Sequence, residues 1–306
     1  MLGLDFKVVS AIFRKDMRTY LGNPTGYVFI TLFIMFTGGA AFLQEEFFSR
    51  NLADLATLNS VIPVILTFFV PAITMNAMAD ERRGGTDELL LTLPVRDHEV
   101  VLGKYLGVLG MFTLSLLITA IAQLSVLAFL GDPDSGLMFA TFAGYWLMGA
   151  LFIAISLVGS TLSQNPTVAF ILGAVGCLLL VLAGTVPWAS GGVGILLIAL
   201  ACALAWYTFS QETVGTLVAG LLGLAAGSLV WQSRNFGEDA EAAADGVEAA
   251  ADLSSQFESL FSHLSVSEHF DSFGEGVIRL GDVLYFAGGA VALLYLCTFL
   301  LGRRLW

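Results

Sequence analysis

The sequence predicts an all-α polytopic membrane protein with about eight transmembrane helices. Its 306 residues are 57% hydrophobic and 12% charged, and the mean hydropathy is +0.84. Soluble domains carry about 25% charged residues, so this composition excludes an ordinary soluble enzyme and a disordered protein. The apolar residues occur in long blocks separated by short polar gaps, as in chains that cross a bilayer repeatedly.

Each predicted span is an apolar block of about 20 residues, the length that a helix needs to cross about 30 Å of hydrocarbon. The blocks are 26–44, 59–79, 100–130, 138–163, 167–187, 191–209, 213–231 and 281–301. The sixth and seventh blocks are rich in glycine and alanine, and they form either two spans or a re-entrant hairpin. Both alternatives leave the direction of the last span unchanged.

The distribution of basic residues predicts the orientation in the membrane. With an inner N-terminus, ten of the 13 basic residues lie on the inner side. These are Lys7, Arg14, Lys15, Arg18, Arg82, Arg83, Arg96, Lys104, Arg303 and Arg304. An even number of spans also returns the C-terminus to the inside, so we predict that both termini are cytoplasmic.

Residues 4–21 predict an N-terminal helix in the membrane interface, because apolar residues such as Val9, Ile12 and Tyr20 recur at helical spacing beside basic residues. The helix is either a simple juxtamembrane anchor or a structural elbow that packs on the bundle. Residues 1–22 contain no continuous apolar centre, so we predict no cleavable signal peptide.

Residues 80–99 form the main inner loop. A glycine pair before Thr86 ends the preceding helix, Thr86 is suited to cap a new helix, and Pro94 ends it. The leucines in between predict a helix of about two turns, and Asp97 is placed to cap the third span. A helix this short is unstable alone, so it packs on its own bundle, in the lipid interface or against a cytoplasmic partner.

Residues 232–280 form an acidic outer segment, of which 237–252 are a low-complexity run of alanine and acidic residues. Ser267 is placed to cap an amphipathic helix that carries Phe270, Phe273, Val277 and Leu280. The helices here lie on the outer membrane surface or roof the bundle. The alternatives for the segment are a solvated charge run with interfacial helices, which we favour, and a binding site.

No catalytic motif is present. The sequence lacks a G-x-x-x-x-G-K-[ST] phosphate loop, an HExxH pair and a G-x-S-x-G elbow, so we predict that the chain is not an enzyme. The histidines and cysteines are too scattered to predict a metal site, and an acidic chain of net charge −12 offers no basic face for nucleic acid. Glycine pairs such as Gly107 with Gly110 instead predict close helix packing.

Two stretches carry a resemblance to a known family. The inner-loop run Met78-Ala79-Asp80-Glu81-Arg82-Arg83-Gly84-Gly85-Thr86-Asp87-Glu88-Leu89-Leu90-Leu91-Thr92-Leu93-Pro94-Val95 resembles the inner loop of type-2 ABC transporter permeases, and of their gliding-motility-type branch in particular. A second likeness runs from Leu264 to Ile278 and from Asp282 to Phe286, before the last span.

The resemblance implies a permease subunit of an export or auxiliary ABC transporter in the inner membrane. A separate cytoplasmic ATPase would bind the helix at about 83–93, a second permease copy would complete a homodimer, and ATP and magnesium would be bound by the ATPase alone. The implied ATPase-docking residues are Glu81, Arg82, Arg83, Gly85, Thr86, Glu88, Leu89, Leu90, Leu93 and Pro94.

The family usually has six spans, and the additional residues of this chain look inserted into that pattern. We therefore predict four parts. Residues 1–187 hold the elbow helix, the first five spans and the inner loop; 188–231 are an inserted transmembrane hairpin; 232–280 are the acidic outer segment, which would face an extracytoplasmic accessory protein; and 281–306 are the last span and the cytoplasmic C-terminus. The alternative functions are a non-transporting scaffold that presents the acidic segment to a partner and a gradient-driven carrier. Almost no ionisable residue lies inside the spans, which argues against the carrier.

Overall fold

The computed structural model describes residues 5–43, 55–84, 95–185, 199, 220–225 and 265–302. The chain divides into two compact units, of which the first comprises Met1–Cys177 with His269–Trp306 and the second comprises Leu178–Glu268. All packing contacts between helices described below lie within the first unit.

The described part of the chain contains no strand, and nine of its helices have defined bounds; residues 199 and 220–225 are helical as well. The helices are α1 (Phe6–Gly22), α2 (Pro24–Phe42), α3 (Ala56–Thr74), α4 (Asn76–Arg83), α5 (Asp97–Leu130), α6 (Ser135–Leu162), α7 (Pro166–Thr185), α8 (Val266–Gly274) and α9 (Leu280–Gly302).

Five stretches in the described part are long and apolar enough to cross a membrane. They are α2, the α3–α4 stretch Ala56–Glu81, α5, α6 and α9, which match the first four predicted spans and the last one. The fifth predicted span corresponds to α7, whose apolar stretch Pro166–Leu182 is shorter. Apart from 199 and 220–225, the sixth and seventh predicted spans lie outside the described residues, as does 232–264, so the count of eight and the inner termini stay predictions.

Helix α6 forms the centre of the bundle, where it packs against α3, α5 and α9. In its most apolar stretch 72% of the residues are buried, and Tyr145, Met148 and Phe152 are almost fully enclosed. The sequence permits this because no charged residue occurs in α6. A helix that is apolar on every side can be buried on every side.

Glycines on α6 bring its neighbours close, as the sequence predicts. A methyl group on Gly149 would overlap the ring of Phe112 on α5, and one on Gly144 would come within 2.7 Å of Phe273 on α8. Because glycine has no side chain, aromatic rings pack directly on the α6 backbone at these crossings.

Helix α8 differs from the predicted amphipathic helix at both ends. Its first turn is capped by Ser265, whose hydroxyl accepts the N–H of Glu268 at 3.4 Å, and not by Ser267. It ends at Gly274, and Gly276 then turns the chain with φ 83°. Phe270 of α8 stacks on Tyr145 of α6 at a ring distance of 5.5 Å, so this part of α8 covers the bundle, in agreement with the roofing alternative.

We expect Gly149→Ala to lower the free energy of unfolding by about 1–3 kcal/mol, because the buried Phe112 ring has to move to admit a methyl group. Gly288→Ala is the matched control, since nothing lies within 4 Å of the methyl group at that position in α9. An unfolding titration in detergent measures both variants. Equal stability of the two would contradict the tight crossing.

Candidate functional site

The two ends of the inner loop come together, and we call this region the loop root: α4 with Gly84, the segment 95–104, and the residues of α1 and α6 that contact them. Of the predicted docking residues, Glu81 and Arg83 lie in α4 together with the backbone of Arg82. The remaining ones lie outside the described residues, so their role stays a prediction. These are Gly85, Thr86, Glu88, Leu89, Leu90, Leu93 and Pro94.

A buried lysine joins three helices at the loop root. The Nζ atom of Lys104, on α5, lies 2.6 Å from Oε1 of Glu81 on α4 and 3.4 Å from Oδ1 of Asp16 on α1. Lys104 is 4% exposed and Asp16 is 8% exposed. Lys15 reaches the same oxygen of Glu81 at 3.1 Å from the outside, with its side chain 60% exposed. The carboxylates and the ammonium therefore compensate each other where water is largely excluded.

Asp16 occupies the side of α1 that faces α5. Burial raises the pKa of its carboxyl group, and the positive charge of Lys104 acts in the opposite direction. Because a buried carboxylate is unfavourable without a cation, Asp16 and Lys104 hold α1 and α5 in one relative position.

A row of glycines on α5 lets α1 approach this closely. Methyl groups on Gly103, Gly107 and Gly110 would come within 2.8 Å of Ile12, 2.9 Å of Asp16 and 2.9 Å of Phe13, respectively. Helix α1 is therefore the structural elbow of the two alternatives. A free interfacial anchor would not require a groove without side chains on the neighbouring helix.

The span that leads into the loop is broken at Met75, where the sequence predicts a continuous helix. The hydroxyl of Ser160, on α6, accepts the N–H groups of Met78 at 3.1 Å and Ala79 at 3.2 Å. It also donates to the carbonyl of Met75 at 3.0 Å. This one side chain satisfies the carbonyl at the break and two backbone N–H groups after it.

A second side chain fixes the same break from α1. The hydroxyl of Tyr20 donates to the carbonyl of Ile73 at 3.1 Å. Burial raises the pKa of Tyr20, so the hydroxyl stays protonated and keeps its role as a donor. The end of α3 is therefore held by the elbow helix, just as α4 is held by Lys104.

The other end of the loop is joined to the start of α1. The carboxylate of Glu99 accepts the N–H of Arg96 at 3.2 Å and the N–H of Asp5 at 2.9 Å. The predicted capping role of Asp97 is wrong, because Arg96 occupies the N-cap position and the acid three residues later supplies the oxygen. The first turns of α1 and α5 thus share one carboxylate.

Sequence reasoning missed Asp16, Lys104 and Ser160 as members of this site. A signal was present for Asp16, which is an acid on the apolar side of an otherwise basic helix, and for Lys104, which is a lone cation inside an apolar block. Each of them needed an opposite charge from elsewhere. Ser160 gave no comparable signal, because serine is common in membrane helices.

The loop root has the properties of a mechanical junction. Among the described residues, no group of histidine, cysteine and acidic side chains could hold a metal ion. The junction instead ties four helices to the two ends of one loop through paired charges and backbone hydrogen bonds. A displacement of the loop would therefore move these helices together.

Comparison with known proteins gives a family match and two relatives. The profile of the family described as "ABC-2 family transporter protein" matches residues 10–227. A protein from Pseudomonas aeruginosa described as "Probable ABC transporter permease protein NosY" is 28% identical over 159 residues, which cover 49% of this chain and 58% of that protein. A protein of the same description from Stutzerimonas stutzeri is 27% identical over 154 residues, which cover 48% and 54%. The chain spans less than two thirds of the length of both relatives.

We expect Lys104→Met to lower the free energy of unfolding by about 3 kcal/mol, because it removes the ion-pair partner of the buried Asp16 and leaves Glu81 with only the exposed Lys15. Lys15→Met removes the same charge from the same Glu81 oxygen, but from an exposed side chain, and should cost less than about 1 kcal/mol. Unfolding titrations in detergent compare the two. Equal losses would show that the burial of Lys104 is unimportant.

We expect Ser160→Ala to cost about 2 kcal/mol, because the buried N–H groups of Met78 and Ala79 lose their acceptor. Ser125→Ala is the control, since this exposed hydroxyl bonds only within its own helix. The same titration applies, and faster hydrogen exchange at Met78 and Ala79 would locate the effect. An unchanged exchange rate there would contradict the assignment.

Proposed function

The chain belongs to the ABC-2 family of transporter proteins, whose profile covers more than half of it, and from this premise we propose that the loop root couples it to a separate ATPase. Members of this family are membrane subunits of ABC transporters, and the ATPase activity lies on another subunit. The chain is accordingly a multi-pass protein of the inner membrane and is not itself the enzyme.

The observation that most strongly supports the coupling role is the triad of Lys104 with Asp16 and Glu81. Glu81 lies at the start of the inner loop, and Lys104 lies a few residues after its end. An ion pair that closes the base of a loop makes its two ends move as one. Because Asp16 joins the same lysine, the elbow helix follows this movement.

In the proposed mechanism, the ATPase holds the leucine-rich helix at about 83–93 and moves it during its nucleotide cycle. The movement passes through α4 to the break at Met75, which Ser160 connects to the central helix α6. A helix break that is held by side-chain hydrogen bonds can change its angle without unfolding either half. ATP and magnesium would be bound entirely by the partner.

The positions of the charges favour this function over a gradient-driven carrier. Within the five candidate spans that the structure describes, charged residues occur only in terminal turns, at the loop root and at Asp282 in the first turn of α9. Ion-coupled carriers need ionisable groups near the middle of the membrane, where the bound ion must be stabilised. No specific observation favours the scaffold function.

We further propose that the chain forms a homodimer and has an export or auxiliary role. Large apolar side chains are exposed along α2 and α9, for example Met35, Phe36 and Tyr295, and they would face lipid or a second copy in a homodimer. The sequence resemblance alone supports the export or auxiliary role. It also supports an extracytoplasmic accessory partner and membership of the gliding-motility-type branch.

Co-purification tests the coupling directly. We expect Leu90→Asp to abolish retention of the cognate ATPase on the tagged, detergent-solubilised chain, because it places a charge on the apolar side of the predicted docking helix. Leu280→Asp is the matched control, since Leu280 is 73% exposed and lies in the first turn of α9, where an acid is favourable. Full ATPase retention by Leu90→Asp, or no retention by the unaltered chain, would refute the docking role of the loop.

A further inference from the structure

We propose that the basic side of α1 is a binding site for the phosphate groups of anionic lipids, formed by Lys7, Arg14 and Arg18. These residues lie seven and eleven positions apart, which is close to two and three helical turns, so they share one side of the helix. All three are exposed.

Helix α1 presents three different sides, and the basic one lies where lipid headgroups would be. One side, with Val9 and Asp16, packs on α5. A second side exposes apolar residues, including Phe6 at 75% and Phe13, which is 37% exposed and also contacts α5 at Gly110. Lys7, Arg14 and Arg18 occupy the third. A helix that exposes an apolar side next to a cationic side is typical of the boundary between hydrocarbon and headgroups.

The position of α1 along the chain supports this location. It ends at Gly22, and the first candidate span begins at Pro24, so only Asn23 separates the elbow from the membrane-crossing helix. The cationic side therefore lies close to the depth at which the phosphate groups of lipids occur.

The cations on this side lack an acceptor within the described part of the chain. None of Lys7, Arg14 and Arg18 forms an ion pair there, whereas Lys15, at the edge of this surface, shares Glu81 with Lys104 of α5. Arg14 and Arg18 are one turn apart, a spacing at which like charges repel each other and at which both can reach one anion. A phosphate between them would remove the repulsion and accept hydrogen bonds from two guanidinium groups.

A lipid phosphate fits this surface better than the two other sources of negative charge. Free phosphate would gain nothing from the exposed aromatic side of α1, whereas a lipid brings acyl chains to it. An acidic surface of the ATPase would have to approach a helix whose neighbouring side is apolar. The combination of cations and exposed phenylalanines therefore favours the lipid.

Native mass spectrometry of the full chain in detergent tests the proposal. The chain is titrated with phosphatidylglycerol, with phosphatidylcholine of the same acyl chains, and with inorganic phosphate. We expect preferential retention of phosphatidylglycerol, and a fall in its affinity of about tenfold to thirtyfold in the double variant Arg14→Gln/Arg18→Gln. The variant Arg279→Gln removes an exposed arginine outside α1 and should bind phosphatidylglycerol as the unaltered chain does.

Two further measurements separate lipid binding from misfolding and from ATPase docking. Arg14→Lys/Arg18→Lys keeps the charge and should retain most of the affinity, with an unchanged melting temperature in all variants. The proposal is overturned by equal retention of the two lipids, by inorganic phosphate that competes fully with phosphatidylglycerol, or by a glutamine variant that loses the ATPase but keeps the lipid. Since lipid retention is measured without the ATPase, failure here leaves the proposed coupling role standing.

Discussion

The burial of one ammonium group governs the architecture of the loop root. Lys104 is enclosed near the start of an apolar span, and a cation in such a place is tolerated only with anions at hydrogen-bond distance. Its two anions come from the elbow helix and from the helix that enters the loop. This requirement explains why α1 has an acid on its packed side and why α5 has a row of glycines opposite it. Three helices distant in sequence are thus fixed by a single group.

The bilayer makes much of this fold predictable from the sequence. A span must be long and apolar whatever it packs against, so α2, α5, α6 and α9 lie within a few residues of their predicted positions. The break at Met75 was not predictable in this way. It depends on the hydroxyl of Ser160, which is more than 80 residues away and whose position no local pattern reveals.

The site was only partly predictable, for a related reason. The loop was identified by its glycine, leucine and proline pattern and by its family resemblance, both of which are local features. Its root depends on a contact between residues 16 and 104 and on a cap shared by Asp5 and Glu99, which are separated by 94 positions. A lone charge in an apolar block shows that a partner exists, but the fold alone identifies that partner. Ser267 and Asp97 were assigned capping roles by proximity, and in both cases a nearby residue performs the role.

The glycine groove on α5 has a consequence for how the membrane itself could influence this protein. Because α1 packs closely in that groove, the cations on its exposed side are joined to Asp16 through the same helix. A change in the surface charge of the leaflet would then act on the same helix that the proposed nucleotide cycle would displace. Lipid composition would then set the resting position from which each cycle starts, with no need for a separate regulatory domain.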